Sequence, residues 1–384
     1  LVSVALWSVL SFFARALDGI IDIPLAHFTD NLKTRWGKRR ISILIGFVPM
    51  MLAYGLFLIP ITPGPSVANT IWFAVLLCIF YSGYTLTMLG YYATFSEICE
   101  NEQSVVLLSN VKSICDVAYF SLGFALLPAF VAMGMNIRTV AMIFMPLAFT
   151  MFIPLFMIKE PPTNVEIPDS IKKPKLNLLQ SFTTAAANKQ FVYWMCVCSM
   201  MNLGMQLFLN GINEFFSTTG INMTFVMASA FAPVPFTMTA YNKITKKYGL
   251  GVGFRFVLLV FALGMSLMFF CRNIPTQYLL WFAIMCGVIV SFAIGAFFSV
   301  TYVVPSHIAA LEKQRTGKEA ASMYFAVQGL FQGVTTALAS QVILVYLKDS
   351  NNIQYMTILV AVCCAIAAAM TFGFHKDVST IGKE

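Results

Sequence analysis

Runs of about 20 apolar residues recur along this 384-residue chain, and they constrain its fold more than any other feature. A helix of that length crosses the hydrocarbon core of a bilayer, and it satisfies all its backbone polar groups internally. Only 10% of the residues are charged, against roughly 25% in a soluble globular domain, and the mean hydropathy is +0.80. We therefore predict an all-α, multi-pass membrane protein. Its eleven apolar segments are 1–28, 41–60, 70–96, 104–134, 137–158, 191–213, 221–241, 251–271, 277–303, 319–347 and 353–374.

The charge pattern and the absence of catalytic motifs exclude several classes of protein. The net charge of +8 does not indicate nucleic-acid binding, because the basic residues lie in short connections between apolar segments. The sequence has no phosphate-cradling glycine loop, Walker motif or metal-binding cluster, so we expect neither an enzyme nor an ATP-driven pump, and no cofactor. The nine cysteines lie mostly inside apolar segments, as packing residues do. The expected partners are a small-molecule substrate and membrane lipid, and we expect a monomer.

Lysine and arginine are distributed unequally between alternate connections, which predicts the orientation of the chain. Eighteen of them lie in one set of connections and in the C-terminal tail, and only three lie in the other set. Cytoplasmic loops carry the excess of basic residues, so the first set and the C-terminus are predicted to be cytoplasmic. We expect the chain to reside in the cell membrane, with Leu1 at the outer face.

Two basic hairpins indicate an internal repeat. TDNLKTRWGK follows the first apolar segment and YNKITKKYGL follows the seventh, and aligning Gly37 with Gly249 places Trp36 on Tyr248. Matching halves of this kind are typical of the major facilitator fold, in which two six-helix bundles surround a central cavity. Five apolar segments precede the polar stretch 159–188 and six follow it, so we expect helix 1 to be missing from this sequence. The predicted domains are an N-terminal bundle of helices 2–6 (1–160), a cytoplasmic linker (161–190) and a C-terminal bundle of helices 7–12 (191–384).

Three ionisable residues lie within the first apolar segment, at Arg15, Asp18 and Asp22. Their spacing of i, i+3 and i+7 places them within about 60° of one helical face. A charge at the bilayer centre costs at least ~2.5–3.5 kcal/mol, so three on one helix require a compensating role. One arginine and two aspartates leave a net charge of −1, which a monovalent cation or a proton would balance. The alternative is an ion cluster that only holds helices together.

A second charged pair lies in the fourth apolar segment, where Lys112 and Asp116 are spaced i, i+4. Because such a pair neutralises itself, a structural salt bridge and a role in substrate binding both remain open. Aromatic residues such as Tyr84 and Tyr92 offer faces on which a sugar would stack, although most aromatic residues of a membrane helix contact lipid or the core.

The stretch RALDGIIDIPLAHFTDNLKTRWGKRR (15–40) resembles helix 2 and the following R-W-G-K loop of the glycoside–pentoside–hexuronide:cation symporters, a family of the major facilitator superfamily. The similarities cover most of the chain, from helix 2 to helix 12. Supporting matches are Tyr84-Thr85 in helix 4, Thr316-Gly317-Lys318 before helix 11, and Tyr324-Phe325-Ala326-Val327 with Gln332 in helix 11.

The resemblance implies a cation site formed by Asp18, Asp22 and Thr85. Oxygen ligands suit a hard monovalent cation, and these three residues would be the metal ligands if the coupling ion is sodium. Ile21 stands where the family has a further polar ligand, so sodium and proton coupling both remain open.

The sugar-binding positions of the family are altered in this chain. Met88 stands in place of an aspartate, Tyr92 in place of a tryptophan and Lys112 in place of an arginine. Gly333 replaces a lysine of helix 11, and His307 replaces an aspartate before it. We assign the substrate side of the site to Arg15, Tyr84, Met88, Tyr92 and Lys112.

We therefore predict a secondary active transporter that carries a glycoside or another small sugar in symport with sodium or protons, by alternating access. The hairpin 33–40 and its repeat 243–249 would close the cytoplasmic side. One alternative is a carrier of a non-sugar solute, such as an amphiphile or an organic acid, because Met88 and Gly333 make the cavity less polar. Another is a non-transporting membrane sensor, which would not need titratable aspartates in helix 2. The predicted gate residues are Arg35, Trp36, Gly37, Lys38 and Arg39.

Overall fold

The structure, a computed structural model, describes residues 4–98, 102–158, 178–221, 223–316 and 321–383. Inside some helices, side chains such as those of Arg15 and Asp18 lie outside what the structure describes. Every regular element within the described ranges is a helix, which confirms the predicted all-α class. The α-helices are α1 (Val4–Asn31), α2 (Lys38–Phe57), α3 (Val67–Ile98), α4 (Glu102–Ala132), α5 (Ile137–Ala148), α6 (Ile153–Met157), α7 (Leu178–Ala187), α8 (Lys189–Thr219), α9 (Met223–Phe231), α10 (Val234–Tyr248), α11 (Leu250–Phe269), α12 (Thr276–Thr316), α13 (Ala321–Ala337), α14 (Leu344–Asp349), α15 (Tyr355–Met370) and α16 (Lys376–Ser379).

Eight helical stretches in the described residues are long and apolar enough to cross a membrane. The other predicted segments are helical too, with α1 and α4 over the first and fourth and with α9 and α10 over the seventh. Pro233 and Pro235 lie at the junction of α9 and α10. Proline lacks a backbone N–H donor, so it interrupts the helix there. Helix length and composition thus support a multi-pass membrane protein, as predicted.

The two repeated hairpins turn in the same way. Gly37 precedes α2 with φ 89° and ψ 156°, and Gly249 precedes α11 with φ 91° and ψ 165°. Only glycine adopts such a positive φ without strain. Each glycine is followed by a helix of 20 residues, so the repeat extends from the sequence to the backbone.

One compact unit comprises residues 1–98, 136–188 and 309–334. Its helices α2 and α3 approach closely where Gly46 lies against α3, since a methyl group on Gly46 would stand 2.5 Å from Thr87 Oγ1. Small residues allow two membrane helices to meet backbone to backbone. Phe47 of α2 packs edge-on against Phe152, with ring centroids 4.6 Å apart. Helix α1 packs on α3, which brings Asp22 to its partner there.

The other compact unit comprises residues 99–135, 189–308 and 335–384. Its core is aromatic: Phe261 lies 5.7 Å from Phe208 and 5.1 Å from Phe297, measured between ring centroids. Helix α4 joins this unit through the hydroxyl of Ser113, which donates a hydrogen bond to the Gly295 carbonyl of α12. Each unit therefore contains helices from both sides of the predicted linker 161–190. Residues 161–177 of that linker lie outside the described residues, and the division into two sequential bundles stays a prediction.

Candidate functional site

Two of the three predicted cation ligands meet inside one unit. The hydroxyl of Thr85 on α3 donates a hydrogen bond to Asp22 Oδ1 on α1, with the two oxygens 2.9 Å apart. Both residues are buried, with 9% of Asp22 and 6% of Thr85 exposed. A carboxylate and a hydroxyl side by side provide the hard oxygen ligands that suit a monovalent cation, and the carboxylate alone suits a proton.

A third helix reaches the same carboxylate. Gly329 of α13 lies so close to Asp22 that a methyl group on its α-carbon would collide with Asp22 Oδ2. The absence of a side chain at Gly329 lets the α13 backbone approach a buried charged group. Gly329 was not predicted from the sequence. A glycine within a helix carries no chemical signal by itself, although Gly329 lies between Val327 and Gln332, two of the helix 11 positions that resemble the symporter family.

The other two charged residues predicted for this site, Asp18 and Arg15, have described positions but not described side chains. Asp18 lies four residues before Asp22, and Arg15 three residues before Asp18, within the continuous helix Val4–Asn31. Their side chains fall outside the described residues, so their roles as cation ligand and substrate or charge partner stay predictions.

The predicted substrate residues of α3 follow Thr85 along the helix. Tyr84 is 42% exposed, and its ring stacks on Phe80 with centroids 6.4 Å apart. Met88 is half-buried. The half-buried ring of Tyr92 lies 5.7 Å from that of Phe325 on α13, so α13 contacts both the carboxylate of α1 and an aromatic residue of α3.

Lys112, the remaining predicted substrate residue, belongs to the other unit. Its Nζ bonds Asp116 Oδ2 at 2.5 Å, as the i, i+4 spacing predicted, and lies 3.9 Å from the centroid of the Tyr302 ring. A carboxylate and an aromatic face together stabilise the buried ammonium. Tyr302 lies far away in the sequence, and no local pattern pointed to it. The structure therefore groups Tyr84, Met88 and Tyr92 in one unit and places Lys112 in the other.

The predicted gate residues divide into buried and exposed members. Arg39 is 1% exposed, and its guanidinium donates to Asp30 Oδ1 and to Ser322 Oγ, both at 2.8 Å. This contact links α1, α2 and α13. Gly37 forms the turn, and its carbonyl accepts a hydrogen bond from the Thr34 hydroxyl at 2.6 Å. Of the remaining gate residues, Arg35 and Trp36 are exposed and Lys38 is half-buried.

The corresponding position of the second hairpin has a different anchor. Gly251, which aligns with Arg39, lies against the C-terminal segment, and a methyl group on it would stand 2.5 Å from Ser379 Oγ. Leu250 donates its backbone N–H to the Ile381 carbonyl at 3.0 Å. The first hairpin is thus fixed by a charged side chain and the second by close backbone packing.

Comparisons with known proteins agree on the fold. The profile of the family described as MFS/sugar transport protein matches residues 1–374. The comparison with curated proteins finds no match.

Two solved structures are similar over nearly the whole chain. The fucose:proton symporter FucP of E. coli is 12% identical, with 97% of this chain and 98% of that chain covered and a TM-score of 0.57. A bacterial homologue of the iron transporter ferroportin, in an outward-facing state with soaked iron, is 10% identical, with 97% and 90% covered and a TM-score of 0.69. At these identities the similarity shows the fold alone, and it confirms the predicted major facilitator fold.

Proposed function

We propose that this chain, which belongs to the family of MFS/sugar transport proteins, is a secondary active transporter that carries a small sugar or glycoside in symport with a monovalent cation or a proton. Alternating access to one substrate site is the mechanism typical of this fold. More narrowly, we propose a glycoside–pentoside–hexuronide:cation symporter, because the stretch 15–40 resembles that family. From the excess of basic residues in alternate loops, we propose that the C-terminus lies in the cytoplasm.

The observation that supports coupling is the buried contact between Asp22 and Thr85. In the proposed mechanism, Asp22 and Asp18 bind the coupling ion, and the Thr85 hydroxyl turns its oxygen toward a cation. A proton would instead neutralise Asp22 directly, and the hydroxyl would remain its neighbour. Either ion removes the net charge of −1 that Arg15, Asp18 and Asp22 carry together, which lowers the cost of enclosing this part of α1 away from water.

The position of Gly329 explains how the bound ion would influence the rest of the protein. Helix α13 touches the carboxylate of Asp22, so a change in charge or orientation there alters the packing of α13. Helix α13 also holds Ser322, the partner of the buried Arg39. We propose that ion binding and the cytoplasmic gate are coupled through α13. The ion then changes the affinity for the substrate by favouring one conformation over another.

The nature of the cargo rests on the family and on one structural neighbour. The family description names sugar transport, and FucP is a fucose:proton symporter. The ferroportin homologue shows that the same fold carries other cargo. A second candidate is a non-sugar solute such as an amphiphile or an organic acid. Met88 favours it, because an apolar side chain occupies the position between Thr85 and Tyr92 where the symporter family grips sugar hydroxyls.

Uptake into proteoliposomes tests the proposal. We expect Asp22→Asn and Asp18→Asn each to abolish accumulation of the substrate against its gradient. Asp349→Asn makes the same chemical change at an exposed site and is expected to leave accumulation unchanged. Unchanged coupled uptake in both helix variants would contradict symport at this site.

Sodium and proton gradients imposed separately identify the coupling ion, and a panel of sugars and organic acids identifies the cargo. Accumulation of organic acids without sugars would favour the second candidate. A non-transporting sensor would take up no solute under either gradient.

A further inference from the structure

Helix α8 carries a line of polar side chains through a membrane-spanning segment. Asn202, Gln206, Asn210 and Glu214 follow one another at every fourth residue of Lys189–Thr219. Four residues rotate an α-helix by only about 40° beyond a full turn, so neighbouring members share one side. Amide side chains at membrane depth are unfavourable next to lipid, and they face other helices or a water-filled cavity.

Both ends of this line contact the helix that runs through α13 and α14. The amide nitrogen of Asn202 donates to Thr335 Oγ1 at 2.7 Å. Glu214 Oε1 lies 2.6 Å from Lys348 Nζ in a half-exposed ion pair. Asn202 precedes Glu214 as its partner Thr335 precedes Lys348, and all four residues lie within one compact unit. The two helical stretches between these contacts therefore run parallel and side by side.

A π-helix lies between the two contacts. Glu214 follows Asn202 by twelve positions along the chain, whereas Lys348 follows Thr335 by thirteen. The π-helical segment Leu338–Ile343 accommodates the additional residue, because a π-turn holds one residue more than an α-turn. Helix α8 packs directly against this segment. Single π-turns within a long helix occur frequently at functional sites.

The two middle members of the line form a hydrogen-bonded pair. The Asn210 amide nitrogen donates to Gln206 Oε1 at 3.0 Å and to the Gln206 carbonyl at 2.8 Å. Within the described part of the chain, the Gln206 amide nitrogen Nε2 and the Asn210 amide oxygen Oδ1 make no hydrogen bond. Gln206 is half-buried and Asn210 is exposed. The pair therefore presents hydrogen-bond donors beside an acceptor.

We propose that Gln206 and Asn210, which lie between the two contacts that flank the π-helical segment, bind the hydroxyl groups of an uncharged polyhydroxy substrate such as a sugar or a polyol. A hydroxyl group both donates and accepts hydrogen bonds. One hydroxyl of the substrate would accept from the Gln206 amide nitrogen, and an adjacent hydroxyl would donate to the Asn210 amide oxygen. The charged residues at the outer end, Glu214 and Lys348, neutralise each other and provide no net charge for an acid or an amine. This inference rests on the proposed transport function, and it names the substrate class and part of its site.

Equilibrium binding to the full chain in nanodiscs tests the assignment without depending on coupling. The probes are tritiated neutral monosaccharides, disaccharides and polyols, with organic acids and primary amines as the counter-panel. We expect the wild type to bind at least one neutral probe, and Gln206→Leu and Asn210→Leu to weaken that binding roughly tenfold or more, because each removes a hydrogen bond to the ligand. Gln190→Leu is the matched control, since it makes the same change at the inner end of α8, where Gln190 bonds Asp377.

Thermal unfolding without ligand separates a lost contact from a lost fold. Gln206→Met keeps nearly the size of the side chain, adds no charge and removes its N–H donors, so it is expected to weaken binding with little change in unfolding. The proposal is overturned if no neutral probe binds the wild type, or if both leucine variants bind as the wild type does. Binding of a neutral probe without its accumulation in vesicles would instead contradict coupled transport and leave this site standing.

Discussion

Two carboxylates on membrane helices of this protein, the buried Asp22 and the half-buried Asp116, are held in different ways. Asp116 bonds Lys112 one turn away on the same helix, α4. Asp22 on α1 accepts a hydrogen bond from Thr85 on α3 and lies against Gly329 on α13. The Lys112–Asp116 ion pair lies within one helix and keeps its geometry when helices shift, although Lys112 also contacts the Tyr302 ring of α12. A contact among three helices changes whenever those helices shift. We infer that Asp22 senses conformation and that the Lys112–Asp116 pair does not.

Arg39 is a second contact of the three-helix type, and its loss is expected to have the largest effect. Arg39→Ala leaves Asp30 largely buried without the guanidinium that bonds it, and it also removes the bond to Ser322. Breaking a buried ion pair by removing one partner costs roughly 3–5 kcal/mol, and we expect about 3 kcal/mol here because Asp30 retains some exposure. Thermal unfolding in detergent measures the change, with Arg35→Ala as the exposed control. Equal melting temperatures for the two variants would contradict a structural role for Arg39.

Gly329→Ala tests whether close approach of α13 to Asp22 matters. The added methyl group would collide with the Asp22 carboxylate, so we expect coupled uptake to fall about tenfold or more while the protein still folds. Gly333→Ala on the same helix is the control, because nothing lies within 4 Å of the added methyl group. If both variants transport equally well, contact between α13 and Asp22 is not part of coupling.

Thr85→Val removes the hydroxyl that bonds Asp22 and keeps the shape of the side chain. A hydrogen bond to a charged group contributes about 1.5–3 kcal/mol. If the coupling ion is a metal cation, the variant loses one of its ligands, and we expect the concentration needed for half-maximal uptake to rise roughly tenfold. If the coupling ion is a proton, the Asp22 carboxylate loses a bond that stabilises its charged form, and the concentration needed is expected to fall. Thr85→Ser retains the hydroxyl and should restore the wild-type value. A shift of the same size in both variants would indicate packing rather than ion binding.

The smallest effect is expected for the pair within α4. Lys112→Met combined with Asp116→Leu removes both charges together, and replacing a buried ion pair with apolar residues changes stability by only a few kcal/mol in either direction. We expect the ion dependence of uptake to stay within about twofold of the wild type. A large shift in that dependence would show that this pair takes part in coupling. It would contradict the inference that Asp22 senses conformation and the Lys112–Asp116 pair does not.

The helices and the contact between Asp22 and Thr85 could be predicted from the sequence for different physical reasons. Membrane helices follow from segment length and hydropathy, which are local properties, and the paired turns at Gly37 and Gly249 followed from matching hairpins. The contact of Asp22 with Thr85 was implied by the resemblance to a family. Lys112 and Asp116 are spaced for contact on one helix, so their pairing was also accessible.

Contacts between distant helices were not accessible in the same way. Gly329 has no side chain, and its role appears only when α13 lies against α1. The amides at Gln206 and Asn210 repeat at helical spacing. That they lie between two contacts flanking a π-helical segment depends on the one additional residue of the neighbouring helix between Thr335 and Lys348. Hydropathy and spacing describe one helix at a time, and neither contains that information.

The most direct test of the role of Asp22 compares exchange with accumulation in one variant, Asp22→Asn. An asparagine resembles a carboxyl group whose charge is already neutralised, so the helices should still move and exchange substrate across the membrane. We expect counterflow exchange in proteoliposomes to stay within about threefold of the wild type, while accumulation driven by the ion gradient is lost. Accumulation at the wild-type level by Asp22→Asn would contradict the assignment of Asp22 as the coupling residue.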